Sequence, residues 1–352
     1  MAHEGRTGRQ AVDFGIFAHN EAEVIADLIA DLSRQVALTR EDLDLRVMLM
    51  ANGCSDATAA RAQEAVAALP EGLQDRFVIH DLAEGGKSRT VHRFIHDTAR
   101  GDAVILGFMD ADIRLPQTDT LGRMIDGMLT RSELHAFTSR PVKDVVHDKL
   151  EVGLVPRLIA AGGDGLTNFR KSICGQLYIL RGDMARSIGL PAGLPVEDGF
   201  VRAMVVTDLL SRDQDLTRID GDPAVYHVYE SIRSIPDLIH HQTRLIVGSA
   251  INAALYGKFR REGHDRKALQ DLLMQTARNP DWLAGVLKTE LPRRPFGYVP
   301  FRFLTNRIWA FRKFGRRSPK ALAVLLVGLG LDSVVYVKAS LRMWRGAGSG
   351  FW

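Results

Sequence analysis

Cysteine is nearly absent: 352 residues contain two, Cys54 and Cys174, far apart and with no second Cys or clustered His at ligand spacing. That excludes a disulfide framework and a structural zinc site, and it fits a reducing compartment. Met1 to Gln10 is polar and lacks an apolar run of the signal-peptide kind, so export is not expected and a cytoplasmic location is. Internal repeats and low-complexity tracts are also missing, which argues against solenoids and disordered tails. Charge of either sign is in small excess only: 46 Lys and Arg against 42 Asp and Glu leave a formal +4. Where that charge sits therefore matters more than its sum.

What is present is an alternation. Apolar runs at Val12 to Ala18, Leu45 to Met50, Phe77 to His80 and Ala103 to Met109 read as strands, apolar on both faces as parallel strands under helices are. Each run gives way to a polar loop: Asn20-Glu21, Asn52 to Asp56, Glu84 to Ser88 and Asp110 to Asp112. The first three loops lead into helical patterns, such as Val24, Ile25, Leu28, Ile29 and Leu32 on one face. The pattern predicts an α/β fold, a mostly parallel sheet flanked by helices with ligand loops at the strand ends. From Phe137 to Asp183 it is less regular, broken by Gly162-Gly163-Asp164-Gly165 and regained at Ile173 to Leu180. A helix follows Glu197-Asp198, and Ala224 to Tyr229 reads as one more strand. We expect a core domain over residues 1–257 and a helical region over 258–352.

Two carboxylates one residue apart at the end of a buried strand, Asp110 and Asp112, can hold a hard divalent cation together with a diphosphate. Isolated Asp-Xaa-Asp also occurs in solvated turns, and it is the position after a strand that points to a ligand. Glu197 and Asp198 open a helix, where acids are favoured by the dipole in any case; a carboxylate there could equally take a proton from an attacking hydroxyl. Lys87 follows Gly85-Gly86 and could lie near phosphate. Gln242 and Arg244, at the start of a helix-like segment, could fork onto a diphosphate or lie on a solvated helix face.

In order, Phe17-Ala18-His19-Asn20-Glu21, Asn52-Gly53-Cys54-Ser55-Asp56, Gly86-Lys87, Asp110-Ala111-Asp112, Glu197-Asp198 and Gln242-Thr243-Arg244 resemble the family 2 glycosyltransferases of GT-A fold. The resemblance covers roughly the first 250 residues. It implies a Rossmann-like mixed sheet, a nucleotide-sugar donor, Mg2+ or Mn2+, and inversion at the anomeric carbon. By the same resemblance Asp198 is the base with Glu197 supporting it, and Asp112 ligates the metal. Asp110 contacts the ribose or a metal-bound water, and Glu21 and Asn52 line the nucleoside pocket. Asn20, Asp56, Lys87, Gln242 and Arg244 complete the donor-binding set. The region from Phe137 to Asp183 then faces the acceptor. Two departures stand out. Asn52 replaces an acidic residue common at that position, which weakens the case for a uridine donor. Leu245, not Trp, follows Arg244, which favours transfer of a single sugar over polymerisation. A nucleotidyltransferase of related fold and a non-catalytic sugar-binding scaffold are the competing readings.

Positive charge gathers near the C-terminus. Arg302, Arg307, Arg312, Lys313, Arg316, Arg317 and Lys320 alternate with Phe301, Phe303, Trp309, Phe311 and Phe314, and no acid intervenes. The apolar run Ala321 to Val337 follows, broken by Asp332 and Ser333. At ~17 residues it is at the lower limit for ~30 Å of hydrocarbon. We expect an anionic membrane surface as partner, with the chain peripheral on the inner face of a bacterial plasma membrane. A lipid-linked sugar, glycolipid or polysaccharide precursor is then the natural acceptor, and nucleic acid is not expected. The alternative is a buried helix that packs on the core or on another copy, forming an oligomer.

Overall fold

The computed structural model describes residues 8–151, 153, 168–314 and 319–346. Gly162 to Gly165, Arg316 and Arg317 lie outside these residues. Eight strands form one sheet: β1 (Gln10–Ala18), β2 (Leu43–Asn52), β3 (Phe77–Leu82), β4 (Ile105–Asp110), β5 (Ile113–Arg114), β6 (Ala136–Lys143), β7 (Leu177–Arg181) and β8 (Ile219–Tyr229). Their order is β3-β2-β1-β4-β7-β6-β8-β5. The first four are mutually parallel; β7 reverses direction against both β4 and β6, β6 and β8 are parallel, and the short β5 runs against β8. This is the α/β, mixed and mostly parallel sheet that the alternation implied.

The four anticipated parallel strands form as predicted within a few residues, because Val12, Phe14, Ile16, Leu45, Val47, Ile105 and Leu106 are all fully buried. Strand β6 was not anticipated: its outer half, Arg140 to Lys143, is only half-buried and lacks an apolar run. The segment expected to be irregular from Phe137 therefore starts as sheet. Strand β8 begins at Ile219, earlier than Ala224, because Asp220 and Asp222 are held there by Arg170 and Arg123.

Helices cover both faces. On one face Ile25, Leu28, Ile29 and Leu32 pack with Leu121, Met124, Ile125 and Met128. On the other, Phe17, Phe94, Phe108 and Tyr178 meet the helices Glu197–Thr207 and Ile235–Glu262. Phe108 stacks on Tyr178 with ring centroids 4.7 Å apart. A fully buried charge sits in this apolar sheet: Asp13 is bound by Arg46 at 3.0 Å and Arg100 at 2.7 Å. Removing either partner of such a pair typically costs about 3–5 kcal/mol.

The helix Ile235–Glu262 is capped by Ser234, whose side chain accepts from the Asp237 amide. Gln242 and Arg244 therefore lie well inside that helix and not at its start, since Ser234 and Pro236 set the true N-terminus. Gly257, expected to close the core domain, also lies within it. Beyond come Arg266–Ala277, Trp282–Glu290, Arg302–Phe314 and Pro319–Trp344, so the C-terminal region is helical.

Candidate active site

β1, β2 and β4 end side by side: Ala18 is opposite Ala51 and Phe17 is opposite Asp110. The loops that follow these ends interlock. Asn20 takes a left-handed φ of 59°, and its Oδ1 accepts from the Ser55 amide at 2.8 Å. The Glu21 amide donates to Thr58 Oγ1 at 2.8 Å and the Ala22 amide to Asp56 Oδ2 at 3.1 Å. Asn52 is buried, with its Oδ1 accepting from Thr90 Oγ1 at 2.8 Å and its carbonyl 2.7 Å from His19 Nδ1. Asn20, Asn52 and Asp56 are thus structural members of the loop cluster, with their side-chain oxygens engaged in holding it.

Asp110 ends β4, its amide donating to the Gln176 carbonyl at 2.9 Å. The Lys87 ammonium, at the start of the helix Lys87–Arg93, lies 2.6 Å from Asp110 Oδ1 and 3.1 Å from Glu197 Oε1. Four sequence candidates from three separate segments therefore converge: Lys87, Asp110, Glu197 and Asp198. Burial works against the Lys87 charge, but Asp110 and Glu197 more than reverse this and hold its pKa above the ordinary lysine value. Burial pushes the Asp110 carboxyl up to about 6, with Lys87 opposing and Asp112 adding to the rise. Glu21 is pushed up to about 7, first by burial and then by Asp112, Asp110 and Asp56. The loop ends thus hold more negative charge than they can neutralise, and a cation is the natural complement.

Asp198 lies in the first turn of its helix and accepts from the Gly199 amide at 2.8 Å. Burial raises its pKa, Glu197 raises it further, and Lys87 and Arg244 pull it down. The helix Ile235–Glu262 fixes this turn from behind: Asn252 Nδ2 donates to the Val196 carbonyl at 3.0 Å and Tyr256 OH to the Gly199 carbonyl at 3.3 Å. Arg244 belongs to that same helix. Gln242 does too, half-buried, and no hydrogen bond joins it to the other candidates among the described residues.

Asp112 is exposed, beyond the end of β4. Among the described residues no group of three or more His, Cys, Asp or Glu gathers to hold a metal by itself. A hard cation beside Asp112 would have to complete its shell from phosphate oxygens and water, as Mg2+ commonly does. Such a donor set fits a metal that arrives with a diphosphate.

Sequence reading missed Gly175, Gln176 and His227. A Cβ at residue 175 would stand 2.6 Å from Asp198 Oδ2, so only glycine leaves that carboxyl its place. His227 is fully buried, 3.0 Å from Ser139 Oγ and 3.2 Å from Gln176 Oε1. Burial pushes it down to about 3, so it is neutral and structural. The available signal was Cys174-Gly175-Gln176, a small and polar interruption just before the apolar run of β7.

Residues 13–154 match glycosyl transferase family 2. This segment is a family 2 glycosyltransferase domain. The family 2 segment contains the loop cluster, Lys87, Asp110 and Asp112, while Glu197, Asp198 and Arg244 lie beyond it. No curated protein matches the sequence. Among solved structures the chain is similar to a mannosyltransferase from Pyrobaculum calidifontis in complex with GDP-Man and Mn2+. The identity is 16%, the match covers 97% of this chain and 87% of that one, and the TM-score is 0.52. It is also similar to glucosyl-3-phosphoglycerate synthase from Mycobacterium tuberculosis at 19% identity, over 71% of this chain and 80% of that one, with a TM-score of 0.47. The fold is the one the motif resemblance implied, shared along 97% of this chain with that mannosyltransferase.

Proposed function

We propose that the enzyme transfers a single sugar, with inversion, from a nucleotide-sugar donor to a hydroxyl of a lipid-linked sugar, glycolipid or polysaccharide precursor. The supporting observation is the convergence of Asp110, Lys87, Glu197 and Asp198 at the strand ends: one ammonium joins the donor-side carboxylate Asp110 to Glu197, the residue next to the candidate base Asp198. Asp198 is the base: its buried carboxyl is raised above the usual aspartate range, nearer to a value useful for accepting a proton at neutral pH. Glu197 holds Lys87 in place beside it. Lys87 and Arg244 supply positive charge for the diphosphate, and Glu21 lines the donor pocket.

Asp112, with Asp110 behind it, would hold Mg2+ or Mn2+ together with the diphosphate. Such an ion supplies Lewis-acid neutralisation of the leaving group. We place the reaction at the cytoplasmic face of the plasma membrane, because the basic and aromatic C-terminal helices suit an anionic lipid surface.

The test is a panel of nucleotide sugars, beginning with GDP-mannose and including UDP-sugars, with Mn2+ or Mg2+ and candidate acceptors. Release of a nucleoside diphosphate with transfer to a hydroxyl supports the reading. Pyrophosphate release would identify a nucleotidyltransferase, and donor binding without turnover a scaffold.

A further inference from the structure

The last two helices form a hairpin. Arg307, on Arg302–Phe314, reaches Asp332, on Pro319–Trp344, through two hydrogen bonds of 2.7 and 2.9 Å. Its side chain crosses Gly328, where a Cβ would stand 2.7 Å from the guanidinium carbon. A larger residue at 328 would displace the Arg307 side chain from this path. From Phe301 to Leu331 the sequence has no acid, so this clasp uses the first acid available.

The two ends of the last helix differ. Val335, Ala339, Ser340 and Met343 are buried against the body of the protein, and the helix packs along Ile235–Glu262. The first half is bare: Leu326 is 61% exposed and Val327 75%, with Leu322 and Val324 exposed beside them. The helix is long and apolar enough to cross a membrane by length and composition, yet only 6% of its most apolar window is buried. Trp309 is exposed on the neighbouring helix, with the Lys313 ammonium 4.8 Å from its ring centre.

We propose that this clasped hairpin inserts into one leaflet of an anionic bilayer and lies along the interface without crossing it. The proposal deepens the membrane placement made above. Basic charge unbroken by acids selects anionic headgroups, bare aliphatic side chains supply apolar area, and a Trp beside a Lys suits the headgroup boundary. The free stretch from Ala321 to Val334 is ~14 residues, or ~21 Å at 1.5 Å per residue. That is too short for ~30 Å of hydrocarbon while the other half stays docked.

The experiment uses the full chain with vesicles of phosphatidylglycerol and phosphatidylcholine, or of phosphatidylcholine alone. Co-sedimentation is measured together with quenching of the Trp309 emission, defined by difference from Trp309→Phe, by lipids brominated at shallow or deep acyl positions. The expected results are binding to the anionic vesicles only, shallow quenching, and at least about a tenfold loss of binding in Leu326→Glu/Val327→Glu. Both sites are exposed, so an unchanged melting temperature checks that the double variant folds. Reversal of Arg312 and Lys313 to Glu should also abolish binding. Strongest quenching at the bilayer centre would overturn the one-leaflet geometry while leaving membrane attachment standing. No vesicle binding would overturn both, and a concentration-dependent dimer that buries Val327 would assign the face to a second copy. Donor turnover in detergent-free buffer reads the transferase chemistry independently.

Discussion

Lys87 Nζ lies 2.6 Å from Asp110 Oδ1, so the last residue of a parallel strand and the first residue of a helix share one proton-rich contact at the mouth of the sheet. The same ammonium touches Glu197 at 3.1 Å. This cation joins the strand end to the helix Glu197–Thr207.

Replacing Lys87 by Met should therefore strand two largely buried carboxylates. At pH 8, above the value of about 6 for Asp110, we expect a loss of about 3 kcal/mol in urea unfolding. At pH 5 the loss should be smaller, because Asp110, already raised to about 6, can take a proton instead. Lys87→Arg keeps the charge and should lose less at pH 8. Equal losses for Met at both pH values would remove the ion pair from the account.

The parallel half of the sheet was legible in the sequence because strands buried on both faces are written as unbroken apolar runs, as Ala103 to Met109 is. Strand β6 was not, since Arg140 and Lys143 carry charge where half-burial permits it. Asp110, Glu197 and Lys87 could be named one by one, but their meeting could not: it depends on the helix Ile235–Glu262 holding Val196 and Gly199 by Asn252 and Tyr256. Asn52 and Asp56, named from their motif positions, also tie the loops together, their oxygens binding Thr90, Thr58 and the Ala22 amide. Gly175 was invisible because its role is to be absent from the space Asp198 fills.

That last point is testable. In Gly175→Ala the new methyl would stand 2.6 Å from Asp198 Oδ2, and the carboxyl must move. Displacement of a base by about 1 Å can cost ~10²-fold in rate. We expect kcat to fall by that order with donor affinity unchanged, measured by steady-state kinetics beside donor titration. A parallel fall in donor affinity would mean the loop, not the base, had been disturbed.

Glu21 governs a pH dependence of stability. Its carboxyl is raised to about 7 in the folded chain from an ordinary value near 4.5. Between these values the native state binds more protons than the unfolded one, so stability falls as pH rises through that window. Glu21→Gln removes the titrating group, and it should match the parent at pH 4 and melt a few degrees higher at pH 8. Thermal melts across that range check this, and a gap independent of pH would show that burial of Glu21 is not what the substitution relieves.

Asp112 and Asp198 should fail in different ways. Asp112→Ala removes the exposed carboxylate that follows β4, so Mn2+-dependent donor binding should weaken, and added Mn2+ should recover part of it. Asp198→Asn keeps the shape and the hydrogen-bonding capacity of the helix turn but cannot accept a proton. Donor and metal binding should therefore persist while transfer falls ~10²–10⁴-fold, the range general-base catalysis supplies. Calorimetric titration of donor with Mn2+, run beside the transfer assay, separates the two. If both variants lost donor binding equally, the division of the site into a metal-holding side and a proton-accepting side would be wrong. In that case Asp198 would belong to the same charge cluster as Asp110, coupled through Lys87 and Glu197, and the base would have to be sought elsewhere on the acceptor side.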